Sequence, residues 1–451
     1  MATLNSTQRA SVQNAVSRSD AQVIKDTLLS SRGFLDNNNW LHPNNKYLKD
    51  TIGKIKNDLD VNITNKNLNP SQIKEYVAAS SILHCKDGWG FLTDSISSLL
   101  EGNISSAIHI AYYAELRAAM SFLASDGIGV FNKQHIWFDN TGACNKVTNI
   151  GTHDFVWNTI EEWANVQHKS HVILQSLQIR NHSIFDWLVK AGMSPSISTA
   201  TTLSKDWLKK WSVDLQILGD DHNLRNEVSY RPQEIKRSLS FDVNGINNLK
   251  FIINQWLISE PTGSEKFKLL DQFLLRQSLY NYYKTQHSRE PGIRDIRNIM
   301  SGLSLSGNTS LENFLLKREH SILNDVFKNA SKKAINTNGE YQPLAVISRA
   351  FLLLRLSTSR LEESLKYAGY DKLKLGFWWK DLGKKNCLWE SSNEPESAQD
   401  LWADVEILIE DLNAYILSNP TAENSTLHKD ISRELLESKK FQKAYLWGIG
   451  I

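Results

Sequence analysis

A chain of 451 residues, 41% hydrophobic and 22% charged, can bury a large core and is not compositionally disordered. A formal net charge of +2 gives no overall basic field, so contact with nucleic acid would need a local patch. Three scattered cysteines, Cys85, Cys144 and Cys387, argue against a disulfide framework or structural zinc site and suit a reducing cytoplasm.

The amino-terminal MATLNSTQRASVQ has no apolar signal core, and no apolar run approaches the ~20 residues of a membrane-spanning helix. A cytoplasmic location without membrane contact is expected. Nine prolines and 22 glycines are few for this length and favour long helices. Residues 1–75, Asn-rich and then Lys-rich, read as short helices in a peripheral extension. From Tyr76, Ile82, Trp89, Leu92, Ile96, Leu99 and Leu100 fall near helical spacing, with a break expected at Lys86-Asp87-Gly88 and an end at Gly102.

The stretch from Ile104 to about Ala124 is apolar almost all round, which predicts burial on most sides. Glu115 and Arg117 lie inside it on nearly opposite faces and need polar partners from neighbouring helices. His109, Tyr113, Arg117 and Ser121 form one line at i, i+4 spacing. Residues 125–152 read as a loop. DFVWNTIEEWANVQHKSHVILQSL reads as one helix, with Trp157, Ile160, Ala164 and His171 along a side. SIFDWLVKAG is another. TLSKDWLKKWSVDLQILGDDHNLRNEVSY is a third, stopped by Pro232. A further helix precedes a break at Pro261–Gly263, and at least five helical stretches follow. No strand alternation persists and no fixed-period repeat is present.

The run GWGFLTDSISSLLEGNISSAIHIAYYAELRAAMSFLASDGI resembles the opening helices of HEPN domains, through Ala111-Tyr112-Tyr113-Ala114, Ala118, Ala119, Leu123 and Gly127-Ile128. Thr152-His153 fits the family's next helix start, and Leu224-Arg225-Asn226 with Tyr230 resembles its later Arg-bearing helix. The match covers about residues 90–260. The resemblance implies a helical bundle, commonly dimeric, of the kind found in toxin–antitoxin and antiviral systems. Active members cut RNA without metal, using Arg followed by His after four to six residues. No Arg in this chain is followed by His at that spacing, and Tyr230 stands where the histidine is expected. Histidine exchanges protons near neutral pH, with a pKa of ~6.5, whereas tyrosine sits near ~10.

The candidate catalytic set is therefore Arg225, Asn226, Tyr230 and His222. Arg225, Arg117 and His109 form the candidate RNA-binding set. Glu115 and Arg117 are the expected buried polar partners. Arg225 has two readings: a phosphate-holding fork, or one half of a buried ion pair with Glu115. His153-Asp154 is either an acid–base pair or a helix start capped by Thr152 or Asp154. His168 and His171 share a helix face without a third metal ligand. Residues 371–389 alternate lysines with Trp378, Trp379 and Trp389, a pattern that fits single-stranded nucleic acid. They are followed at 390–423 by nine acids and no Lys or Arg, so the two faces can instead meet each other. No P-loop, GxGxxG or GxSxG pattern is present, and neither cofactor nor metal is expected.

The sequence thus predicts an all-α protein. An N-terminal helical extension (1–89), a HEPN-like bundle (90–260) and a C-terminal all-helical domain (261–451) would make it up. The expected role is an accessory or RNA- or protein-binding component of a microbial antiviral-defence or toxin-type system. A divergent metal-independent ribonuclease and a purely structural scaffold are the alternatives. Expected partners are RNA, a protein encoded nearby, and a second copy of the chain or a hetero-assembly.

Overall fold

A computed structural model describes residues 4–35, 39–49, 51–60, 69–147, 149–194, 215–230, 243–261, 266–318, 324–371, 374–389 and 397–443. The fold is all-α, with two small antiparallel sheets among the described residues. At its centre lie α5 (Pro70–Leu100) and α6 (Ile104–Ser125), packed side by side. Asn69 opens α5 by accepting from Gln72 N, and Pro70 occupies the first turn, where its missing N–H is no loss. Asn103 caps α6 in the same way, through Ser106 N.

The break expected at Lys86-Asp87-Gly88 does not occur, and α5 runs unbroken through it. The reason is tertiary. A Cβ on Gly88 would lie 2.6 Å from Leu354 Cδ2 and 3.4 Å from Arg117 Cβ, so the bare backbone lets two neighbours close on α5. The boundary expected at 89/90 therefore falls inside a continuous helix. The amino-terminal segment is not peripheral either. Its α1 (Ser6–Arg18), α2 (Ala21–Ser30), α3 (Arg32–Leu35) and α4 (Thr51–Asp60) bury Val12, Val16, Ile24, Leu28 and Ile55 in the common core.

The loop expected at 125–152 contains β1 (Ile128–Gly129), β2 (Ile136–Phe138) and β3 (Cys144–Lys146), paired antiparallel with Trp137 opposite both Ile128 and Asn145. Strands this short carry no alternation long enough to read. The helix expected from Asp154 to Leu177 is two helices, α7 (Thr152–Asn165) and α8 (Gln167–Ser176), because Val166 turns extended between them. A two-stranded hairpin, β4 (Gln178–Ile179) and β5 (His182–Ser183), leads to α9 (Ile184–Lys190). The Arg-bearing helix is α10 (Leu215–Tyr230). Its expected start near Thr202 and stop at Pro232 lie outside the described residues. Next comes α11 (Gly245–Leu257).

Beyond residue 261 follow α12 (Lys268–His287), α13 (Ile293–Gly302), α14 (Thr309–Leu315) and α15 (Asp325–Ala330). The long α16 (Pro343–Tyr367) comes next, then α17 (Gly376–Lys385), α18 (Ala398–Ser418), α19 (Asn424–Asp430) and α20 (Ser432–Glu437). The boundary expected at 260/261 does not separate two cores, because α16 lies along both α6 and α5 and is buried over most of its length. Ser357 Oγ donates to Ala118 O at 2.7 Å, and Trp89 Nε1 donates to Thr358 Oγ1 at 3.1 Å. These bonds fix α16 on the α5–α6 pair. Among the described residues, no helix is long and apolar enough to cross a membrane.

Candidate functional site

Three helices bring chemistry together at one end of α6. The buried face of α6 supplies Tyr112, with His109 and Tyr113 half-buried beside it. The first turn of α7 supplies His153, and α10 supplies His222, Arg225 and Ser229. Gly151 is the N-cap of α7 and offers no side chain, so the cap expected from Thr152 or Asp154 is not there. Thr152, His153 and Asp154 instead make up the open first turn, and His153 is turned towards α10.

Arg225 is only 7% exposed. Its Nη2 lies 3.2 Å from His153 Nε2, and its guanidinium packs over the rings of Tyr112 and Tyr113 at 5.4 and 5.6 Å. No carboxylate is within ion-pair distance of Arg225 among the described residues. Its Nε is buried without a hydrogen-bond partner. The ion pair expected between Arg225 and Glu115 does not form, since Glu115 faces Arg349 of α16 at 3.4 Å.

The hydrogen bonds fix the state of His153. A guanidinium only donates, so Nε2 must accept and carry no proton. Nδ1 then holds the proton and donates to Tyr112 Oη at 2.8 Å, where Trp157 Nε1 also donates at 3.2 Å. The imidazole is thus neutral. Burial, then the nearby His222 and Arg225, lower its pKa to about 4. The ring of His222 lies 4.8 Å from that of His153 and 5.8 Å from Tyr112, and its Nδ1 is buried without a partner. Burial and the Arg225 charge lower the His222 pKa as well. His109 Nδ1 meets Ser229 Oγ at 2.6 Å, and that hydroxyl gives its own proton to Arg225 O. His109 must therefore donate, which leaves its Nε2 lone pair open. Burial, then Arg225, lower its pKa too.

The site thus unites Arg225, His222 and His109 of the expected set and adds His153, Tyr112, Tyr113 and Trp157. Asn226 is half-buried and its side chain makes no hydrogen bond among the described residues. Tyr230 is 79% exposed on the last residue of α10 and touches none of these groups, so it does not replace the missing histidine. Arg117 is not part of the site. It meets His84 Nδ1 of α5 at 2.7 Å, and burial followed by Arg117 lowers the His84 pKa to about 3. The i, i+4 line on α6 therefore changes neighbour along its length. His109 and Tyr113 face α10, while Arg117 and Ser121 bond to α5.

Other candidates end elsewhere. Trp378 and Trp379 are buried, with Trp40 packed edge-on to Trp378, so they offer no stacking platform. His168 is exposed, and no metal-binding cluster occurs among the described residues. Two adjoining clefts of about 770 and 880 Å³ flank α8 and α16. Their buried charges largely satisfy one another: Lys169 bonds Asp126 and Ser19, and Arg355 grips Asp271 through two hydrogen bonds.

No family model, curated protein or solved structure matches the chain, so the chemistry is read from this geometry.

Proposed function

We propose that the protein is a HEPN-like, metal-independent ribonuclease in which Arg225 holds the scissile phosphate and His153 and His222 exchange the protons. One observation carries this reading. A guanidinium with under a tenth of its surface exposed has no carboxylate partner among the described residues and is bonded to a neutral imidazole. A buried charge is costly without a counter-ion, and a phosphate supplies one in the fork geometry that arginine prefers.

As Arg225 exchanges its bond to His153 for the phosphate, the freed Nε2 lone pair takes the proton of the ribose 2′-hydroxyl. The 2′-oxygen forms a bond to phosphorus as the bond to the 5′-oxygen breaks. His222, protonated once the bound phosphate offsets Arg225, gives that proton to the leaving oxygen and returns to its neutral form. Arg225 spreads the charge that builds on the non-bridging oxygens. Both imidazoles are neutral in the empty site, and an arriving phosphate offsets Arg225 and raises their pKa values towards neutrality. The missing Arg-to-His spacing within α10 is then replaced across space by a histidine of α7. The resemblance places such an activity in a microbial antiviral-defence or toxin-type system, with a second copy or a neighbouring protein as partner.

Incubating the pure protein with RNA in EDTA tests this. Cutting that disappears in Arg225→Ala and in His153→Ala supports it, and intact RNA with wild-type protein overturns it. A second reading, an accessory protein that binds RNA without cutting, is favoured by the lowered pKa of His222, which holds the proposed acid in its neutral form. It expects an Arg225-dependent gel shift and no cleavage.

A further inference from the structure

Directly beneath the site lies a second charged cluster made of Glu115, Asp221 and Arg349, each fully buried. Arg349 comes from α16, far along the chain from the residues it touches. Its Nε and Nη2 donate to the two oxygens of Asp221 at 2.7 and 2.6 Å. Its Nη1 donates to Ala330 O at 3.0 Å and Lys332 O at 2.6 Å, the carbonyls at the end of α15. Glu115 meets the same guanidinium at 3.4 Å, and neither of its oxygens makes a close hydrogen bond. Two carboxylates thus share one cation, and burial followed by the Asp221 charge pushes the Glu115 pKa up.

Asp221 immediately precedes His222 and stands one turn before Arg225. Each residue turns a helix by about 100°, so a slip of one position would swing both site residues away from α6 and α7. A two-bond grip between planar groups resists that slip more firmly than apolar packing does. We infer that Arg349 is a positioning residue that sets the register of α10 through Asp221 and so aims His222 and Arg225. Glu115 is the protonated, neutral member of the cluster. The site is thereby built on α6, α7 and α10 but aligned from α16. This inference rests on the proposed ribonuclease reading for its catalytic meaning, whereas its structural content can be measured without RNA.

The test separates alignment from stability. Arg349→Met alone strands Asp221 and can unfold the chain, so the decisive variant is Arg349→Met combined with Asp221→Leu. It removes both charges together and fills the space with apolar side chains. Two readouts are taken well below the melting temperature: cleavage rate per folded molecule, and the imidazole NMR signals of His153 and His222. Positioning predicts a melting temperature near that of wild type, displaced signals for both histidines, and a rate down at least tenfold. A double variant with wild-type rate and unmoved imidazole signals overturns the inference. Glu115→Gln keeps shape and neutrality, so it should retain the wild-type signals and rate. A loss there of the kind expected for the double variant shows an ionised Glu115 and overturns the assignment of its proton. If wild-type protein cuts no RNA, the ribonuclease reading fails while the imidazole signals still decide the role of Arg349.

Discussion

Arg225 and Arg349 are both buried, at 7% and 0% exposure, and they sit on adjoining layers of the same bundle. Arg349 has what a structural arginine needs: Asp221 held by two bonds, Glu115 close by, and two backbone carbonyls. Arg225 has an imidazole lone pair, two aromatic faces and no carboxylate among the described residues. Burial alone does not separate a fold-holding charge from a ligand-seeking one. The counter-ion does. Where the protein supplies it, removal damages the fold; where it does not, removal damages binding and chemistry.

The largest effect falls on His153. His153→Ala removes the proposed proton acceptor and should cut RNA cleavage by about 10²–10⁴-fold, the usual scale of general acid–base catalysis. Cleavage that persists in this variant while vanishing in His222→Ala would assign both proton transfers to α10. Next comes Arg349→Met alone. It strands Asp221 in the interior and should lower unfolding stability by about 3–5 kcal/mol, read by denaturant melts. Arg225→Ala should do the reverse. Its rate falls by about 10²–10³-fold, as for loss of one charge-stabilising donor, with stability close to wild type. If Arg225→Ala melts like Arg349→Met, the contrast between the two arginines is broken.

The positions of these two arginines also mark how far the sequence could be read. The all-α class was legible because helical periodicity and sparse proline recur over hundreds of residues. The buried Ile104–Ser125 helix and its polar residues were legible for the same reason, since Glu115 in an apolar run announces a partner. Which partner was not legible. Arg225 is nearer in the motif, yet Glu115 goes to Arg349, more than two hundred residues away, because α16 packs along α6. His153 appeared as a helix start and is one. Only the packing of α7 against α10 turns it on to Arg225. The break expected at Gly88 failed because a local signal for a turn was overridden by the close approach of Leu354.

A smaller effect follows from pH. His153 and His135 are held neutral, with pKa values lowered to about 4. His135 stacks on Phe155 with 3.9 Å between ring centres, and its Nε2 faces Ile150 O at 3.0 Å. In the unfolded chain both titrate near ~6.5, so unfolding takes up protons between about pH 4 and 6.5. Stability is therefore complete above that window and falls as pH drops through it. Melting temperatures across the range check the slope. An RNA oligonucleotide should flatten the contribution of His153, because bound phosphate raises its folded pKa, and leave that of His135, buried under Phe155, unchanged. An equal response of both histidines would mean that the anion does not bind beside Arg225.

The smallest expected effect belongs to Tyr230, the residue that stands where the resemblance calls for a catalytic histidine. It ends α10 with 79% of its surface in solvent and makes no contact with Arg225. An exposed side chain with no partner among the described residues contributes within about ±0.5 kcal/mol when replaced, so Tyr230→Ala should melt like wild type. It should also leave the chemical step alone, because His153 already occupies the space beside the guanidinium. The informative variant is Tyr230→His, which restores the Arg-to-His spacing in sequence. If function followed spacing along one helix, this variant would gain activity. The geometry expects no gain, since the side chain at 230 lies in solvent and the proposed proton acceptor comes from α7. A rise in metal-free cleavage for Tyr230→His, together with indifference to His153→Ala, would move the site to the last turn of α10 and dissolve the contrast between the two arginines.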